Sequence, residues 1–159
     1  MAKAIAHCKC EKCGEEFVKE NRLQNRSDAN HWTEWAEANI TLCPKCWRKS
    51  EQDKAEKRYD ELKDELRLPE ITGKSDKQIA FANDLRVRYV ARHGEELRVM
   101  RRKIDGVSAE AVAKVMADEN VDEDGAMRKA LEWMPSMHAR YIVLTSSSAR
   151  ELIDLLHRG

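Results

Sequence analysis

Two cysteine pairs hold the chemistry that is legible in this chain: Cys10-Glu11-Lys12-Cys13-Gly14 and Cys43-Pro44-Lys45-Cys46-Trp47. Four thiolates close a tetrahedral shell around one ion and leave no position for water or substrate. That is the chemistry of a structural zinc site, with iron as the alternative occupant. Each pair wraps one ion because the turn between its cysteines aims backbone N–H groups at the sulfurs. Gly14 follows the first pair, where a positive φ is cheap only for glycine. Pro44 pre-sets φ inside the second pair. The expected ligands are Cys10, Cys13, Cys43 and Cys46, and the expected cofactor is structural Zn2+. Cys8 lacks the context of a metal turn and reads as a buried or edge thiol. His7 and His31 read as bystanders beside a complete four-sulfur set.

A second concentration is basic. Arg86, Arg88, Arg92, Arg98, Arg101, Arg102 and Lys103 fall on one helical stretch. They form either a phosphate-binding patch or a solvated face, paired in part with Glu95 and Glu96. Trp32 and Trp35 either pack on the metal turns and the next helix or offer a base-stacking platform. Thr72-Gly73-Lys74-Ser75 imitates the end of a phosphate-binding loop. Leu68 stands where that motif needs its first glycine, and no buried strand precedes it. Ser75 with Gln78 reads better as a capping box. The acidic run 118–125 lacks the alternating ligands of a calcium loop. Serines 146–148 suit helix caps, and His93 and His138 are isolated, so catalysis finds no constellation.

Lys plus Arg number 29 and Asp plus Glu number 29, so no net field draws the chain of 159 residues to nucleic acid or membrane. Charged residues at 36% and aromatics at 6% suit a helix-rich protein with a modest core. No apolar run approaches the ~20 residues of a membrane span. The first residues lack the apolar region of a secretion signal, which points to the cytoplasm, where thiols stay reduced.

These residues need elements to place them. Residues 2–8 and 15–19 suit strands flanking the first metal turn, with Phe17 covering the site and 20–26 as loop. Ser27-Asp28 caps a helix from Ala29 to Asn39, with Trp32, Trp35, Ala36 and Ile40 on its apolar face. Residues 40–42 suit a short strand into Cys43. A helix then runs from Lys45 to about Leu66 with Ala55, Tyr59, Leu62 and Leu66 on one face. Its positive N-terminal end favours thiolate charge. Leu68-Pro69 breaks it and opens a linker. Residues 76–104 form the longest helix, inward along Ile79, Ala82, Leu85, Tyr89, His93, Leu97, Met100 and Ile104, and Gly94 is a candidate break. Ser108 caps a helix. Residues 126–134 form another, with Met127, Ala130, Leu131 and Met134 inward. Residues 138–144 read as a short helix or equally a buried strand. Thr145 or Ser147 caps the last helix, and His157-Arg158-Gly159 suits its end. The fold class is mainly α with a small N-terminal β zinc module. Residues 1–67 form the four-cysteine module with its exit helix, and 70–159 form a helical domain.

The metal half, with Cys10, Cys13, Gly14, Cys43, Pro44, Cys46 and Trp47, resembles zinc-ribbon and treble-clef modules of small bacterial and phage proteins. Its spacing is also similar to that of rubredoxins, although Trp47 stands where they repeat a glycine. The junction from Leu68 to Arg86 resembles a recurrent segment of proteins from gut bacteria and their mobile elements, with Phe81 where a tryptophan is common. The resemblance implies an architecture and a phage-like or mobile-element setting, and no activity. The functional expectation is a non-enzymatic binding or adaptor protein that engages nucleic acid or a nucleic-acid-bound protein. A phage-type inhibitor of a host protein, such as a defence nuclease, is the alternative, and a metal-dependent enzyme comes third.

Overall fold

The computed structural model describes residues 1–132 and 134–157. The chain divides into two units, Met1–Lys54 and Ala55–Gly159. The described residues are mainly helical, with one two-stranded sheet at the N-terminal end.

In the first unit β1 (Ala2–Lys9) and β2 (Glu16–Leu23) form an antiparallel hairpin, with Cys8 opposite Phe17 and Ala2 opposite Leu23. The second strand therefore continues through residues read from sequence as loop. Its side chains alternate between half-buried and exposed, which is the period of a strand with one covered face. β1 buries Ala4, Ala6 and Cys8 on that face. Such small side chains let α1 (Arg26–Asn39) lie close across the strand, with Ala29 and Ala36 buried on its own side. Asn25 caps α1, one turn ahead of the expected start, by accepting the N–H of Asp28. Phe17, Trp32 and Ile40 pack around Ala6, Cys8 and Ala36. Trp35, expected inside with Trp32, is 54% exposed. Residues 40–42 are not a strand, because Ile40 is still closing α1 through its N–H to Ala36.

The boundary between the units falls inside α2 (Pro44–Lys63). The later turns of α2 give Leu62 to the core of the second unit, and Leu66 follows just beyond. α3 (Asp76–Asp105) starts at Ser75, whose hydroxyl accepts the Gln78 N–H. The Gln78 side-chain oxygen Oε1 accepts the N–H of Lys74, one residue earlier than a strict capping box would. The break foreseen near Gly94 is a kink at His93, with φ −115° and ψ 26°. The inward line of α3 also differs from the expected one. Ala82, Arg86, Val87, Val90, Gly94, Leu97 and Met100 are buried, while Ile79, Tyr89 and Ile104 are only partly so.

α4 (Ala109–Glu119) is capped by Ser108, and α5 (Glu123–Ala130) by Asp122. α5 thus begins inside the acidic run, where carboxylates favour a helix N-terminus. Met134, expected inward, is 52% exposed; Trp133, in the same expected helix, lies outside the described residues. A 3-10 turn, Pro135–Met137, leads into α6 (His138–Thr145). α6 is a helix, and Tyr141, Ile142, Val143 and Leu144 are all buried. Four consecutive buried residues read in sequence as an unbroken apolar run, which is why strand and helix were indistinguishable there. α7 (Ala149–Leu156) is capped by Ser148, not by Thr145 or Ser147. Ser147 contributes its carbonyl instead, accepting the N–H and hydroxyl of Thr72. The end of that helix at Arg158 and Gly159 lies outside the described residues.

Candidate metal centre

The first cysteine pair sits on the turn that follows β1. Cys10 donates its N–H to Glu15 O at 2.9 Å, and Gly14 donates to Cys10 O at 2.8 Å. Gly14 has φ +74°, and a Cβ there would meet nothing within 4 Å. Backbone conformation alone asks for glycine at this position. The second pair opens α2. The sulfur of Cys43 accepts the N–H of Cys46 at 3.4 Å, in the manner of an N-cap side chain. Pro44, as the first helical residue, has no N–H to lose. The N–H of Glu11 reaches Thr41 O at 2.9 Å and ties one turn to the segment ahead of the other. Hairpin turn first and helix start second is the treble-clef order expected from the sequence.

The sulfurs of Cys10, Cys13, Cys43 and Cys46 all lie within 4.8 Å of one another. Those of Cys13 and Cys43 are 3.8 Å apart. A tetrahedral ion with metal–sulfur bonds of about 2.3 Å spaces its ligands about 3.8 Å apart, so the donor set fits one ion. All five cysteines are free thiols. Among the described residues this is the one group of His, Cys, Asp or Glu arranged to hold a metal. The expected quartet is therefore brought together.

The electrostatics of the quartet favour a cation. The backbone of Cys43, with those of Cys13 and Lys12, brings the Cys10 thiol down to about 6 against burial. Cys43, burial and the other two sulfurs push Cys46 up to about 12. The backbone of Glu15 pulls Cys13 down, but Cys10 and burial outweigh it and leave Cys13 raised. One thiolate is welcome in this space and further ones are not. A divalent ion removes that repulsion, which couples metal binding to thiol deprotonation.

Cys8 lies outside the cluster. It is buried on the hairpin's inner face and its sulfur donates to Ala36 O at 3.7 Å. Burial and the Glu37 carboxylate push its thiol up, as suits a packing residue.

The seven basic residues of α3 do not form one surface. Arg86 is 4% exposed and donates to Pro69 O at 2.6 Å. Arg101 donates to Leu66 O and Leu144 O, each at 2.9 Å. Arg98 grips Glu65 with two nitrogens and also reaches Glu95. Arg88 pairs with Asp84 at 2.7 Å. Arg92, Arg102 and Lys103 remain exposed, with no ion pair among the described residues. The inward roles of Arg86 and Arg101 escaped the sequence reading, but the signal was present. Ala82, Arg86, Val90, Gly94, Leu97 and Arg101 follow one another at spacings of four or three, the single face of a helix. Glu15, which places its carboxylate 4.0 Å from the Cys13 sulfur, was also not singled out.

The surface has shallow grooves. One is lined by Thr72, Gly73, Lys74, Gln78, Ser148 and Arg150. It contains the apparent phosphate-loop residues. Gly73 serves packing there, since a Cβ on it would stand 3.0 Å from that of Ala149. No helix among the described residues is long and apolar enough to cross a membrane. No protein-family model, curated protein or solved structure matches this chain.

Proposed function

We propose that the chain is a non-enzymatic binding protein held together by structural zinc, and that its partner is nucleic acid or a protein carried on nucleic acid. Four thiolates with no open ligand position suit a metal that maintains a fold rather than one that activates water. The observation that carries the partner is the exposure of two tryptophans in the metal-bearing unit, Trp35 at 54% and Trp47 at 55%. A unit this small is short of core residues, and aromatic rings are its largest source of burial. Each ring left in solvent there offers a face for stacking on a base. Arg92, Arg102 and Lys103 supply cations that no internal carboxylate claims.

The test is titration of the full chain with single-stranded and duplex oligonucleotides at low and at physiological salt, read by tryptophan fluorescence. Single strands should quench more than duplex. Changing Arg92, Arg102 and Lys103 together to glutamine should weaken binding and remove roughly two to three units from the slope of log K against log salt. No binding at low salt, where attraction is strongest, ends the nucleic-acid reading.

A phage or mobile-element inhibitor acting on a host protein is the second reading. It is favoured by the internal engagement of Arg86, Arg88, Arg98 and Arg101, which leaves a sparse phosphate-binding surface. It expects capture of one host protein that survives nuclease treatment.

A further inference from the structure

The four sulfurs are unequally sheltered. Cys10 and Cys43 are buried, Cys46 is half-buried and Cys13 is exposed. Cys13 stands beside Gly14, over which nothing is packed. Its sulfur lies 3.8 Å from that of Cys43, on a segment 30 residues away in sequence. The Glu15 carboxylate is 4.0 Å from the Cys13 sulfur.

Given the reading that the quartet holds a metal, we propose that it is also an oxidation-sensitive latch. Cys13 is the sulfur that a hydroperoxide attacks, Cys43 is the sulfur that resolves the product, and a Cys13–Cys43 disulfide replaces the ion. In the first step the Cys13 thiolate attacks one oxygen of hydrogen peroxide. The S–O bond forms, the O–O bond breaks, and hydroxide leaves. Cys13 becomes a sulfenic acid and no longer offers an anionic sulfur. In the second step the Cys43 thiolate attacks the Cys13 sulfur. The S–S bond forms, the S–O bond breaks, and a second hydroxide leaves. Two thiolates have been oxidised and one peroxide reduced. Cys10 and Cys46 are then a two-sulfur remnant of the shell, too few to retain zinc. The new bond joins the hairpin turn to the start of α2, the two segments that the ion had joined. Cys8, buried against Ala36, takes no part.

The experiment uses the wild-type full chain loaded with Zn2+, its metal content measured first. Brief alkylation with N-ethylmaleimide, followed by peptide mass spectrometry, should label Cys13 on the order of tenfold faster than Cys10 or Cys43. Hydrogen peroxide should then release about one zinc per disulfide formed, read with a chromogenic chelator. Mapping without reductant should find the bond between Cys13 and Cys43. A chain that takes up no zinc ends the metal reading and the latch with it. A chain that holds zinc but forms its disulfide within either C-x-x-C pair or through Cys8 overturns the latch alone. Equal labelling of the four ligands, or disulfide formation without zinc release, does the same.

Discussion

Gly94 on α3 faces Leu62 on α2 so closely that a Cβ at Gly94 would lie 2.7 Å from Leu62 Cδ1. Both residues are buried, and the backbone of α3 kinks at His93 immediately before this contact. Glycine costs a helix about 1 kcal/mol relative to alanine. The close approach of the two helices is what retains it. Gly94→Ala should therefore destabilise the protein by about 1–3 kcal/mol in chemical denaturation, despite its better helix propensity. Adding Leu62→Ala should cost less in the Gly94→Ala background than in the wild type. A stabilising Gly94→Ala would show that the helices can separate without loss.

Removal of single ligands separates the metal from the spare thiol. Cys46→Ser should abolish metal retention, measured by elemental analysis, and unfold the hairpin unit, because binding and folding are linked there. Cys8→Ser should keep the metal. It should lower stability by about 1 kcal/mol through burial of a hydroxyl in an apolar site. Loss of metal in Cys8→Ser with retention in Cys10→Ser would reassign the ligand set.

The two neighbours Arg101 and Arg102 should behave differently. Arg101→Gln leaves the Leu66 and Leu144 carbonyls without their donor. It should cost about 2 kcal/mol or more in denaturant unfolding. Arg102→Gln, on the exposed side of α3, should stay within about 0.5 kcal/mol of wild type. Equal effects would show that the carbonyl contacts contribute little.

Alkaline unfolding should report Tyr141. Its hydroxyl donates to Asp124 at 2.8 Å, and Arg128 lies over its ring at 5.6 Å. Burial first, then Asp124, pushes the phenol well above the ordinary tyrosine range. A raised folded value means that the stability from this group is whole below the unfolded value of about 10 and is lost as pH rises above it. Tyr141→Phe should cost about 1 kcal/mol at neutral pH and make stability less steep in pH above about 10. Tyr89, raised by burial, should leave a smaller residual slope. An unchanged alkaline limb in Tyr141→Phe would remove Tyr141 as its source.

The four-cysteine cluster was readable from sequence because its information is local. Each C-x-x-C turn specifies its own geometry through Gly14 or Pro44, and four soft ligands admit few ions. The order of elements was readable for the same reason, since Ser75 and Ser108 are caps and the helices carry periodic apolar residues. Other features depended on partners that no local pattern names. The fate of the seven α3 cations turned on which carbonyls and carboxylates other segments brought to them, Pro69, Leu66, Leu144 and Glu65 among them. The choice of Ser148 over Ser147 as the α7 cap turned on a backbone pairing with Thr72. The helical state of Tyr141–Leu144 and the exposure of Trp35 and Cys13 were likewise decided in the tertiary structure. Burial is a property of the surroundings, and a residue's own type and spacing do not contain it.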